Sequence, residues 1–117
     1  MTDKKTPPQQ PRLFPVHSKH MTLEFDAYDS ELRCAVCAYL VEELGFERRG
    51  ERVDGWDEGI SPSFVRDGLE LQAGWSHWAD GDYLLAVCDR GDQLLHDILA
   101  AIRPDLSFQP QHSRPPE

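Results

Sequence analysis

All three tryptophans of this 117-residue chain fall between residues 56 and 78, interleaved with acids. One segment reads Asp54-Gly55-Trp56-Asp57-Glu58-Gly59, and the other reads Trp75-Ser76-His77-Trp78-Ala79-Asp80-Gly81-Asp82-Tyr83. Large aromatic side chains commonly anchor protein interfaces, and carboxylates around them select a basic partner and speed the encounter with it. The pattern marks Asp54, Trp56, Asp57, Glu58, His77, Trp78, Asp80, Asp82 and Tyr83 as candidate partner-binding residues. Trp75 is assigned to the core. A plainer alternative buries Trp56 as well, pairs Trp78 with Tyr83 across two strands and leaves the acids as solvated turn residues. The spacing of the acids does not fit a calcium-binding loop.

The thiols offer a second chemistry. Cys34 and Cys37 form a C-x-x-C pair, and with Cys88 and a histidine they would complete a four-ligand zinc site. Both lie past the first turn of a helix, however, whereas redox pairs sit at the helix start, where the dipole lowers the thiol pKa. No second ligand pair follows at finger spacing, so packing is the expected role and the thiol or zinc protein is kept as an alternative. His77, beside Asp80 and Asp82, has the makings of a general base, but no Ser or Cys nucleophile is placed to partner it. No catalytic residue, metal or cofactor is expected.

The elements that position these residues lie between Ile60 and Cys88. Asp67-Gly68 and Asp80-Gly81 each sit between β-favouring residues, the pattern of a two-residue primed turn. The first turn sets Arg66 opposite Leu69, Phe64 opposite Leu71, Pro62 opposite Ala73 and Ile60 opposite Trp75. The second sets Trp78 opposite Tyr83, Ser76 opposite Leu85 and Gly74 opposite Val87. Alternation then gathers Ile60, Phe64, Leu69, Leu71, Ala73, Trp75, Leu84, Ala86 and Cys88 on a core face. The opposite face is polar along the middle strand and apolar along the third. Its Val65, Trp78, Tyr83, Leu85 and Val87 would serve a homodimer, which is the other alternative. The two tryptophan-bearing segments meet at one end of the sheet.

Before this block, Met21 to Ala27 alternates with period two and reads as a strand with Met21, Leu23, Phe25 and Ala27 inward. A helix follows from an Asp29 or Ser30 cap and stops at Gly45, with Val36, Cys37, Leu40, Val41 and Leu44 on its apolar side. A second helix spans about Gly91 to Ile102, with Leu94, Leu95, Ile98, Ala101 and Ile102 on one side. Phe46 to Val53 is too charged to assign and would suit an edge strand. The expected fold is α+β: an antiparallel sheet of four or five strands with two helices on one face, in the order β-α-(β)-β-β-β-α. Residues 1–20 are Pro-rich and read as a flexible arm whose Leu13-Phe14-Pro15-Val16 could pack on the sheet; residues 103–117 read as a flexible tail.

Charge narrows the partners. The chain carries 12 Lys and Arg against 21 Asp and Glu, a net charge of −9. Residues 21–102 hold 18 of the acids and only 6 of the bases, while residues 1–20 are basic. That field opposes nucleic acid and anionic lipid and attracts cations. No apolar run approaches the roughly 20 residues of a membrane span, no signal peptide is evident, and three cysteines fit a reducing cytoplasm.

In size, in its acidic α+β layout and in the segment from Gly74-Trp75-Ser76-His77-Trp78 to Gly81-Asp82-Tyr83, the chain resembles the small acidic immunity or antitoxin proteins that bacteria pair with basic toxin domains. The resemblance spans residues 21–102 and transfers no residue role. It implies inhibition by occlusion: an acidic, aromatic surface covers a basic active-site cleft and performs no catalysis. The expectation is a cytoplasmic, non-enzymatic inhibitor of a basic toxin or enzyme, monomer or homodimer.

Overall fold

The computed structural model describes residues 10–16, 20–77 and 81–110. Seven antiparallel strands form one sheet: β1 (Arg12–Pro15), β2 (Met21–Glu24), β3 (Glu47–Arg49), β4 (Val53–Asp54), β5 (Glu58–Arg66), β6 (Leu69–Ser76) and β7 (Gly81–Ala86). The spatial order is β1-β2-β7-β6-β5-β3, with β4 also paired to β5. Two helices, α1 (Glu31–Ala38) and α2 (Asp89–Ala100), complete the α+β fold. The sheet exceeds the expected four or five strands at both margins. Phe46 to Val53 supplies two short strands on either side of Gly50, where φ is +100°. Leu13 and Phe14, expected within the arm, belong to β1, which pairs with β2. Residues 103–109, expected to be part of a tail, fold back onto the end of α2, with Arg103 N–H donating to Ser107 O and Gln109 N–H to Ala101 O. The rest of the arm and tail, residues 1–9, 17–19 and 111–117, lies outside the described residues.

The first hairpin has the expected turn: Asp67 and Gly68 adopt φ +49° and +79°, and Arg66–Leu69 and Phe64–Leu71 pair as predicted. Beyond Phe64 the register slips. Ser61 faces Ala73 and Ile60 faces Gly74, because a bulge at Pro62-Ser63 inserts one residue. Proline has no N–H for the ladder, so the strand breaks register where it sits. The Pro62 carbonyl instead accepts from the Arg48 guanidinium at 3.1 and 3.3 Å. A shift of one residue exchanges faces, so Ile60, expected in the core, is 58% exposed on the open face and Ser61 is buried.

The second hairpin differs in another way. Ser76 faces Gly81 and Gln72 faces Leu85, so residues 77–80 connect the strands and Asp80-Gly81 is not a two-residue turn. Gly81 is needed for a different reason. A Cβ there would lie 2.3 Å from the Ala27 carbonyl oxygen, where the backbone between β2 and α1 crosses over. The displacement preserves parity, so Leu71, Ala73, Leu84 and Ala86 keep the face predicted for them. The expected pairing of Trp78 with Tyr83 falls away, since Tyr83 faces Gly74 and Trp78 lies outside the described residues.

Ser30 caps α1, its Oγ accepting from Arg33 N–H at 3.1 Å. After Ala38 the helix widens into a π-helical turn, Tyr39–Glu43, closed by Leu44 N–H to Tyr39 O and ended by Gly45 at φ +79°. Leu32, Val36 and Leu40, spaced four apart, are buried, while Val41, expected among them, is 39% exposed. From α2, Leu95, Ile98, Ala101 and Ile102 are buried. Both helices join Leu23, Phe64, Leu71, Ala73, Leu84 and Ala86 in one core, and all six of these strand residues share a sheet face. The helices therefore cover one side of the sheet and leave the other open. Among the described residues no helix is long and apolar enough to cross a membrane.

Candidate functional site

The end of the sheet where β4, β5, β6 and β7 meet carries the candidate residues. One row across these strands reads Asp54, Gly59, Trp75, Asp82 on the helix-covered side, and the adjacent row reads Val53, Ile60, Gly74, Tyr83 on the open side. Each row contains one glycine, and each glycine lies beneath an aromatic ring. A Cβ on Gly59 would meet Trp75 Nε1 at 2.1 Å, and one on Gly74 would meet the Tyr83 hydroxyl at 2.7 Å. The strand glycines let the rings lie across the neighbouring strand. Lying over Gly59, the indole reaches Asp54 and donates from Nε1 to Oδ1 at 2.9 Å.

That hydrogen bond, followed by one from Arg52 Nε at 3.1 Å, holds the Asp54 carboxyl below its ordinary range. Trp56 and Asp57 occupy the turn between β4 and β5, closed by Gly55 N–H to Glu58 O at 2.8 Å. A second tie comes from the residue after β6, where His77 N–H donates to Asp57 O at 2.8 Å. The two tryptophan-bearing segments thus meet at one pole, as expected. Trp56, which the plainer reading placed in the core, is 95% exposed. Asp54, Asp57, Glu58 and His77 are exposed around it.

Two candidates do not belong to this surface. Asp82 is 5% exposed and points into the junction with α1, where Oδ2 accepts from Asp29 N–H at 2.6 Å and lies 3.5 Å from Arg33 Nε. Burial raises its carboxyl pKa, with the Asp29 N–H and Arg33 opposing. It joins β7 to the start of α1 and is removed from the set of partner-binding residues. Tyr83 is half-buried on the open face, the opposite side of the sheet from Asp54 and Trp75, and burial raises its phenol pKa. Trp78 and Asp80 lie outside the described residues.

Three further residues contribute to this pole without standing out in the sequence. Trp75, assigned to the core, is only partly buried. Its ring meets those of Tyr28 and His77 at interplanar angles of 65° and 84°, each with centroids 6.2 Å apart. Tyr28 is 46% exposed, and its hydroxyl donates to Ser76 O at 3.4 Å. Arg52 lies within a charged run, Glu47 to Arg52, that gives it no local distinction. The glycines at 59 and 74 were the available signal, since a glycine inside a strand marks a close approach.

The thiol alternative finds little geometry. Cys34 is exposed, Cys37 is half-buried with its thiol pKa raised by burial, and Cys88 is half-buried. A raised pKa withholds the reactive thiolate. The group of three possible metal ligands among the described residues is His20, Asp89 and Asp92, with ligand atoms within 4.8 Å, and no cysteine belongs to it. The Asp92 carboxylate is already engaged by Met21 N–H at 2.8 Å and His20 Nδ1 at 2.9 Å, in the first turn of α2, where the helix dipole disfavours a cation. Burial pushes its pKa up, and these two hydrogen bonds overcome it and hold the carboxyl low. The group serves as a clasp between β2 and α2. No protein-family model or curated protein matches the sequence, and no solved structure matches the fold.

Proposed function

We propose that this protein is a non-enzymatic binding module of the immunity type, which inhibits a basic toxin or enzyme by covering its active-site surface. The observation that carries this reading is Trp56, 95% exposed at the tip of a turn fixed by two backbone hydrogen bonds. Tryptophan is enriched among the residues that carry most of the energy of protein interfaces, and a turn already ordered in the free protein loses little entropy when a partner covers it. Asp54, Asp57 and Glu58 surround it and suit a cationic surface.

The test is titration calorimetry against the product of the neighbouring reading frame, with inhibition of that product's activity as the second readout. Trp56→Ala should leave unfolding stability within about 0.5 kcal/mol and weaken binding by at least about 2 kcal/mol. Binding unchanged by Trp56→Ala combined with Asp57→Asn and Glu58→Gln would remove this surface from consideration.

A second reading, homodimerisation through the open sheet face, is favoured by Val53 and Ile60, each 58% exposed there, and by Val87 at 40%. Sedimentation at low micromolar concentration separates the two, and Ile60→Lys would abolish a dimer formed this way.

A further inference from the structure

Resting on the reading of a basic partner, we infer that the pole holds a receptor for one arginine side chain of that partner, made by the Trp75, Tyr28 and His77 rings together with the Asp54 carboxylate. Three features support it. The indole is fixed in orientation by its 2.9 Å hydrogen bond to Asp54, so a guanidinium stacked on the ring face has the carboxylate at the ring's N–H edge. Tyr28 and His77 stand steeply to the indole, at 65° and 84°, and both are exposed, so planes of different orientation are available to a flat guanidinium. Among the described residues, cations stacked on rings are Arg12 over Phe14 and Arg48 over Phe64; none occupies Trp75 or Tyr28.

The chain also supplies a surrogate for the ligand. Arg52 Nε lies 3.1 Å from both Asp54 oxygens, in a bridge whose side chains are 60% and 50% exposed. An exposed pair two residues apart in sequence contributes little and exchanges readily with water. An incoming guanidinium takes over the same carboxylate and gains the rings as well. Arginine is assigned over lysine because its planar group stacks on aromatic faces and pairs with a carboxylate through two N–H groups.

The test needs no partner. Titrate the whole protein with N-acetylarginine amide at constant ionic strength and follow the tryptophan indole N–H resonances, with that of Trp75 identified from Trp75→Phe. The expected result is a saturable shift of the Trp75 resonance, weakened about two- to five-fold by Tyr28→Leu. Asp54→Asn, which keeps an acceptor for the indole and removes the charge, should weaken it as well. Arg52→Gln should leave it unweakened, with a tightening of no more than about two-fold, because the internal pair it removes contributes little; a general loss of structure would weaken it. N-acetyllysine amide should bind more weakly. Binding weakened by Arg52→Gln, equal shifts with the lysine probe, or a shift indifferent to Tyr28 and Asp54 would each overturn the receptor. If the probe fails while Trp56→Ala still weakens capture of the partner, the arginine receptor falls and the immunity reading stands. If the probe binds and the neighbouring product is not captured, the immunity reading falls.

Discussion

Two carboxylates on one row of the sheet have opposite fates, and the difference lies in burial, because each of them accepts an N–H and lies against an arginine. Asp54 is exposed and accepts from an indole and a guanidinium, so its ionised form is favoured. Asp82 is buried against the start of α1, so its ionised form is opposed. Because the folded-state pKa of Asp82 lies above the unfolded value, the folded state holds the proton more tightly. Stability contributed by that proton is present below the unfolded pKa and is lost as pH rises through the folded one. Asp82→Asn removes this dependence while keeping an acceptor for Asp29 N–H. The melting temperature of the variant relative to wild type should therefore rise as pH increases from about 4 to about 7; a difference that is flat across that range would contradict the assignment. At the neighbouring position, Gly59→Ala should cost about 1–3 kcal/mol, because its Cβ drives the indole off Asp54. The same change made in a Trp75→Ala background should cost less, and chemical denaturation of the four proteins measures the coupling.

Element by element, the sequence was legible wherever periodicity was uninterrupted. The β2 strand, both helices, the Asp67-Gly68 hairpin and the shared core face of β6 and β7 follow from alternation and turn chemistry alone. Failures arose where a residue acts through a distant neighbour. Pro62 shifts β5 by one and expels Ile60, and Gly81 serves the crossing of Ala27 while reading locally as a turn. The helix widens after Ala38, and nothing in the apolar spacing of α1 signals that change. At the candidate site, Trp56 and the acids beside it were legible from composition, whereas Tyr28 was not, since its approach to Trp75 depends on how the chain enters α1. The bulge makes a prediction of its own. Lysine scanning along β5 should be tolerated at 58 and 60 on one side of it and at 63 and 65 on the other, with intolerant positions at 61 and 64. Thermal melts of the series would show that change of phase, and an unbroken two-residue period across residues 58–66 would contradict it.

For the whole molecule, acidity and one-sided helix packing together determine what is offered to a partner. Helices occupy one sheet face, leaving the open face and the Trp56 pole, and a net charge of −9 favours cationic surfaces at either place. The association rate with a basic partner should fall as salt is added, while dissociation, governed by the buried aromatic contacts, changes less. Stopped-flow measurements at two ionic strengths distinguish this from an association whose rate is indifferent to salt. The margins of the sheet limit the mode of attachment further. The outermost strand on one side, β1, ends in Pro15 and follows Pro11, and on the other side β3 is Glu47-Arg48-Arg49. Missing amide hydrogens on one border and crowded charge on the other discourage a foreign strand from zipping on. In concentrated solution these ribbons are guarded against polymerising edge to edge.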